Sequence, residues 1–184
     1  MAAKTVAVYG SAMITPDEAI YTAAHYIGQA LAEAGYVVMT GGYAGVMEAA
    51  SHGAAEAGGH VIGVPSTTIE KFRPTARVNQ WVKEKFGQTT LRGRLMFLTL
   101  RADAYVVLPG GTGTLAELVV AWELIRTGDV PKKPIVCYGP YWANMLALFR
   151  QSPHIAANAW ETLSFADSPQ QVVAIIKASL AHAS

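Results

Sequence analysis

The junction written LPGGTGTLAE, Leu108 to Glu117, limits most strongly what this chain can fold into. An apolar run of strand length, Asp103 to Leu108 (DAYVVL), leads into it, and a helical apolar stripe from Leu115 to Ile125 follows. The stretch is therefore a strand, a glycine-rich turn and a helix start in direct succession. Gly110, Gly111 and Gly113 let the backbone come close to a ligand, and the unpaired N–H groups of a helix start attract an anion such as phosphate. On this reading Glu117 lies in the first helical turn and faces whatever the loop holds. The same residues also fit a purely local role. Thr114-x-x-Glu117 has the spacing of a capping box, worth about 1 kcal/mol of helix stability.

The same kind of junction recurs along the chain. Thr5 to Tyr9 (TVAVY) reads as a buried strand ending in Gly10-Ser11, and Thr15-Pro16-Asp17-Glu18 carries the cap, first-turn proline and glutamate of a helix that runs to about Glu33. Tyr36 to Thr40 is a second strand, followed by Gly41-Gly42-Tyr43-Ala44-Gly45 and an alanine-rich helix from Val46 to Ala57. His60 to Val64 is a third strand, and Pro65 to Gln88 is irregular. A helix over Thr89 to Arg101 places Leu91, Leu95 and Leu98 on one face and Arg94 and Arg101 on a shared edge. An arginine on so apolar a helix either snorkels to water or reaches a buried anion. Pro134 to Tyr138 is a fifth strand, Tyr141 to Gln151 a helix, Trp160 to Phe165 a possible sixth edge strand, and Ser168 to Ala181 a closing helix.

Strands alternating with helices over the whole length imply an α/β fold with a mostly parallel sheet covered by helices on both faces. Right-handed crossovers give a doubly wound, Rossmann-like order, 3-2-1-4-5 counted on these strands, with the sixth at the edge. The first and fourth strands are then neighbours at the switch point, where ligands bind beyond the carboxyl ends of strands. Gly10, Ser11, Gly41, Gly42, Gly45 and Pro109 to Thr114 would line one crevice. With 184 residues, no linker-like stretch and no repeat, residues 1–184 read as a single nucleotide-binding domain.

Composition narrows the function. Charged residues are 15% of the chain and the formal net charge is +1, which argues against a general nucleic-acid binder. Eight of the fourteen basic residues nevertheless lie between Lys71 and Arg101, with Glu84 the one acid among them. This cluster is either a solvated basic face or an anion site. Cys137 lies in an apolar run and reads as an inert buried thiol. With no apolar stretch of transmembrane length and no secretory signal before Lys4, the expected setting is cytoplasmic, away from membranes.

Several site classes do not match. The first turn has one glycine and the second strand ends in Met39-Thr40 with no acid, unlike a nicotinamide dinucleotide site. No lysine follows a glycine-rich turn as in triphosphatase loops, and there is no G-x-S-x-G elbow. His25, His52, His60, His154 and His182 show no metal-ligand spacing with one another or with Cys137. These residues call for neither a metal nor an organic cofactor.

With those residues in view, the chain resembles the LOG ("lonely guy") family of nucleoside 5′-monophosphate phosphoribohydrolases, long labelled lysine decarboxylases. The P-G-G-x-G-T-x-x-E hallmark matches Pro109 to Glu117 at every fixed position, and the likeness runs from Val6 to about Tyr138, including Gly10-Ser11, Gly41-Gly42 and Gly59 to Val64. The resemblance implies hydrolysis of the N-glycosidic bond of AMP or N6-modified AMP. In that scheme Glu117 is the catalytic carboxylate, and Arg94 binds and orients the substrate. It further implies a homodimer or higher homo-oligomer, for which the helices at Thr89 to Arg101 and Leu115 to Ile125, each too hydrophobic for a helix with one wet face, are the expected contact. The family's usual M-H-x-R-K context is Leu91-Arg92-Gly93-Arg94-Leu95 here, so a leucine replaces the lysine after the arginine. In this respect the chain looks closer to the divergent bacterial branch, whose relatives include proteins proposed to carry molybdenum cofactor. Two readings follow: a nucleotide phosphoribohydrolase, or a non-catalytic carrier or sensor of a phosphorylated ligand such as a nucleotide or that cofactor. Lysine decarboxylation is a third and weaker one, because pyridoxal phosphate needs a lysine and the glycine turns carry none.

Overall fold

A computed structural model of the chain describes residues 3–181; Met1, Ala2 and the last three residues, His182 among them, lie outside the described residues. Seven strands form one parallel sheet: β1 (Thr5–Tyr9), β2 (Val37–Thr40), β3 (Val61–Gly63), β4 (Glu84–Lys85), β5 (Ala104–Val107), β6 (Ile135–Tyr138) and β7 (Leu163–Ala166), in the order β4-β3-β2-β1-β5-β6-β7. The expected order is thus observed, with one two-residue strand added outside β3. That strand, β4, comes from the segment read as irregular, since two exposed charged residues give no hydrophobic pattern. The same segment holds a short helix, α3 (Thr67–Phe72).

The continuous apolar runs follow from burial on both faces. Val6 and Val8 of β1 point into one core, with Val38, Val61, Ala104, Val106 and Val136. Ala7 and Tyr9 point into the other, with Met39, Tyr105, Val107, Ile135 and Cys137. Helices α1 (Ala19–Glu33), α2 (Val46–Glu56) and α7 (Pro169–Ala181) cover the first face. Helices α4 (Leu91–Arg101), α5 (Thr112–Arg126) and α6 (Pro140–Arg150) cover the second. Nearly every side chain of β1, β2, β5 and β6 is therefore buried, and no polar alternation survives in their sequence. Cys137 is fully buried, and desolvation pushes its thiol up to about 12, so it is the inert thiol the sequence suggests.

Three expectations are corrected. The reach of Glu18 back to the N–H of Thr15 exists at 2.8 Å, but it closes a turn before α1, which begins only at Ala19. The last strand is shifted to Leu163–Ala166 because Ala157–Thr162 forms a 3-10 turn, whose Ala159 carbonyl takes the Trp122 indole N–H at 2.7 Å. On α4 the buried residues are Arg94, Leu98 and Thr99, while Leu91 is exposed. Arg94 and Arg101 do not share an environment either. Arg101, the last residue of the helix, lies exposed over the Phe97 ring, whereas Arg94 enters the core.

Candidate active site

The carboxyl ends of β1, β2 and β5 meet at one crevice, and β1 and β5 are adjacent at the switch point. The loops after these strands are braced to one another. The Ser11 N–H donates to the Pro109 carbonyl at 3.1 Å, and the Val46 N–H donates to the Ser11 carbonyl at 2.9 Å. Close approach requires glycine at particular positions. A β-carbon on Gly10 would strike Val46, and one on Gly45, which has φ +69°, would strike the Ser11 carbonyl. Gly42, at φ +83°, is held in the left-handed region while its N–H bonds the Thr40 hydroxyl at 3.0 Å.

The third loop is anchored from α6. The Trp142 indole N–H donates to the Leu108 carbonyl at 3.0 Å, and the Tyr141 hydroxyl donates to the Gly110 carbonyl at 2.9 Å. Helix α5 begins at Thr112 with Gly111 as its unassisted cap, and its first backward bond runs from the Leu115 N–H to the Gly111 carbonyl. The N–H groups of Thr112, Gly113 and Thr114 precede that bond and have no turn behind them to accept. This geometry overturns the capping-box reading: Thr114 is the third helical residue and lies buried against Gly110, and Glu117 belongs to the second turn.

Glu117 is buried and points across to α4, where the Arg94 guanidinium donates to it at 3.2 Å. Two further contacts fix Arg94. Its Nε–H donates to the Val64 carbonyl at 2.8 Å, and its other terminal nitrogen lies 3.7 Å from the Met47 sulfur. The guanidinium occupies the space a side chain on Gly41 would need. The question left open by the sequence is thereby answered: Arg94 reaches a buried anion, the carboxylate of Glu117. Burial raises the Glu117 carboxyl above its ordinary value, and the Arg94 charge and hydrogen bond pull it part of the way back. Burial and the nearby Glu117 charge also hold the Tyr9 phenol well above its usual range.

The profile of the family described as "Possible lysine decarboxylase" matches residues 47–176. A cytokinin riboside 5′-monophosphate phosphoribohydrolase of Mycobacterium tuberculosis is 34% identical over 176 residues, which cover 89% of this chain and 88% of the mycobacterial one. The chain belongs to the LOG family. A rice LOG relative, named a probable phosphoribohydrolase of the same kind, is 31% identical over 72% of this chain and 53% of its own length. Among solved structures, a molybdenum cofactor binding protein from Rippkaea orientalis superposes with a TM-score of 0.75 at 26% identity, covering 98% of this chain and 99% of that one.

In this LOG-family chain Gly41, Arg94 and Glu117 come together at the crevice and the loops at Gly10-Ser11, Gly45 and Pro109 brace one another, whereas Arg101 lies apart on Phe97. Sequence reasoning missed the groups that hold its far wall. Asn79 donates through its side chain to the carbonyls of Gly42 at 3.1 Å and Tyr43 at 2.9 Å. The Tyr43 hydroxyl accepts the Ser66 N–H at 2.8 Å and lies 3.3 Å from Glu70. Arg73 extends over the loop after β1, with its guanidinium 3.7 Å from the Met13 sulfur. The basic cluster pointed to Arg73, but nothing in the sequence marked Asn79 or Tyr43.

Gly111 and Gly113 differ from the other glycines of these loops. A β-carbon on either meets nothing within 4 Å, and neither has a positive φ. The chain's own packing does not demand glycine there. Gly113→Ala is therefore expected to leave stability unchanged or raise it by up to about 1 kcal/mol, as Ala replaces Gly in a helix. Should the bare backbone serve a ligand, the same variant weakens ligand binding, which calorimetric titration beside a melting curve would show. A drop in stability with unchanged binding would count against that role.

Proposed function

We propose that this protein hydrolyses the N-glycosidic bond of a purine nucleoside 5′-monophosphate, AMP or an N6-modified AMP, giving the free base and ribose 5-phosphate. The observation that carries this reading is the buried Arg94–Glu117 pair at the mouth of three glycine-rich loops. The 5′-phosphate is bound by the exposed N–H groups of Thr112 and Gly113, with Gly10, Ser11 and Gly110 beside it. The glycosidic bond then breaks with its electron pair leaving on the base nitrogen, which takes a proton from solvent. Positive charge develops on the ribose and is stabilised by the Glu117 carboxylate, which also takes a proton from the water that attacks the anomeric carbon. Arg94 aims Glu117 and offsets part of the burial that raises its carboxyl, so it acts on the reaction through the carboxylate. The phosphoribohydrolase names of relatives at 31–34% identity support this assignment. The glycine turns offer no lysine for a pyridoxal aldimine, which sets lysine decarboxylation aside.

The test is a substrate panel of AMP, N6-substituted AMP, the other nucleoside monophosphates and adenosine, with free base and ribose 5-phosphate separated by chromatography. Cleavage of a monophosphate and not of adenosine supports the reading and names the base. Equal cleavage of adenosine refutes the phosphate subsite. A second reading, a carrier of a phosphorylated ligand, is favoured by the full-length likeness to a protein that binds molybdenum cofactor. It uses the same crevice without turnover.

We also propose a homodimer through α4 and α5 and a cytoplasmic setting. Leu91, Leu100 and Val119 leave an apolar surface on those two helices. Among the described residues no helix is long and apolar enough to cross a membrane. Light scattering at micromolar concentration is expected to give twice the mass of the chain; a monomer there would remove the dimer from the account.

A further inference from the structure

A cluster on the opposite side of the sheet from α4 and α5 takes no part in the proposed reaction. Helices α1 and α2 cross unusually closely, because glycines stand where side chains would collide. A β-carbon on Gly28 would overlap the Ala50 carbonyl, and one on Gly53 would overlap the His25 carbonyl. This contact brings His25 of α1 beside His52 of α2, their rings edge to face with centroids 4.9 Å apart. Glu56, one helical turn beyond His52, turns its carboxylate to both. One oxygen lies 2.8 Å from His25 Nε2 and the other 3.0 Å from His52 Nε2. One ligand atom from each residue falls within 4.8 Å of the others.

We propose that His25, His52 and Glu56 form a binding site for one divalent transition-metal ion of the zinc type, clamping α1 to α2. Two imidazole nitrogens and one carboxylate oxygen form a donor set suited to Zn2+ and Cu2+, and solvent completes the shell. Bonds of about 2.0–2.2 Å from the ion to each ligand require the two histidine–glutamate contacts, now 2.8 and 3.0 Å, to open around it. Glu56 is half exposed and free to make that adjustment. His52 is fixed from its other side by Trp81, stacked on it at 4.0 Å with the planes 8° apart. Spacing among the histidines did not reveal the site, because one ligand is a glutamate, at i+4 from His52 on the same helix face. The third ligand comes from another helix, and no spacing rule joins it to them.

The test uses untagged full-length protein and Zn2+ alone. Calorimetric titration is expected to give one ion per chain, with a rise in melting temperature that grows with free Zn2+. Glu56→Gln, His52→Gln and His25→Gln should each weaken binding by more than the ~10-fold that loss of an outer-shell partner costs. His60→Gln removes a histidine whose Nε2 lies 2.8 Å from Glu84, and it should leave Zn2+ binding unchanged. Titration with Cu2+ should quench tryptophan fluorescence, and Trp81→Phe should remove most of that quenching. Glu56 is exposed enough that its variant keeps the fold, so the test does not rest on the histidine variants alone. Unsaturable binding, or binding equal in wild type and Glu56→Gln, would reduce the cluster to a hydrogen-bonded His–Glu–His network and overturn the proposal.

Discussion

Glu117→Gln is expected to abolish base release while leaving the protein folded and able to bind AMP. The glutamine keeps the size of the side chain and an oxygen for the Arg94 guanidinium to bond at the position now 3.2 Å away. It loses the negative charge that stabilises the developing ribose cation and the basic oxygen that takes the water's proton. General base catalysis alone contributes about 10²–10⁴-fold, so kcat should fall at least that far with little change in the binding constant for AMP. Turnover by the variant at the wild-type rate would remove Glu117 from the chemistry. Equal loss of binding and turnover would instead make it a residue of substrate recognition.

The second large effect is on stability. Arg94→Met leaves the Glu117 carboxylate buried with no counter-charge, and breaking one side of a buried pair costs about 3–5 kcal/mol. This is a large part of the ~5–15 kcal/mol that holds a domain together. The sign of the pH dependence follows from the raised Glu117 carboxyl. Relative to the unfolded chain, folding favours its protonated form, so its stabilising contribution is complete below the unfolded value and is lost as pH rises through the folded one. Removing Arg94 moves that folded value higher still. Urea denaturation of Arg94→Met should therefore show its largest deficit near neutral pH and a smaller one on acidification toward about pH 4, the ordinary glutamate range. The acid limb of kcat/KM should shift to higher pH in the same variant. Combining Arg94→Met with Glu117→Leu restores an apolar pair and should recover most of the stability with no activity. A double variant as unstable as the single one would show that Arg94 acts mainly through Val64 and Gly41.

The order of the main strands was legible because the runs TVAVY, YVVMT and AYVVL are apolar at nearly every position, which only a sheet covered on both faces requires. The convergence of the glycine loops followed from the topology those runs imply. Helix starts were less legible. The apolar stripe that begins at Leu115 marks only the hydrophobic part of α5, whereas the polar turn Thr112-Gly113-Thr114 before it is already helical, with Thr112 and Gly113 exposed and Thr114 buried. The same offset made Thr114 resemble a cap. Arg94 could not be placed by periodicity, since a buried arginine and a snorkelling one share a spacing, and Val64 and Glu117, which decide between them, lie on other elements. Strand β4, Asn79 and Tyr43 gave no pattern, because their roles are set by individual contacts: β4 to β3, Asn79 to the carbonyls of Gly42 and Tyr43, and Tyr43 to Ser66.

The most direct test of the central claim, that one crevice binds the nucleotide and one carboxylate cleaves it, is a single-turnover experiment. Protein in excess over AMP is mixed, quenched at intervals and assayed for adenine, ribose 5-phosphate and AMP. The account predicts that adenine and ribose 5-phosphate appear together in a one-to-one ratio, in a phase that Glu117→Gln lacks. Recovery of bound AMP intact from the wild-type protein would contradict it, and would leave a crevice that holds a phosphorylated ligand without cutting it.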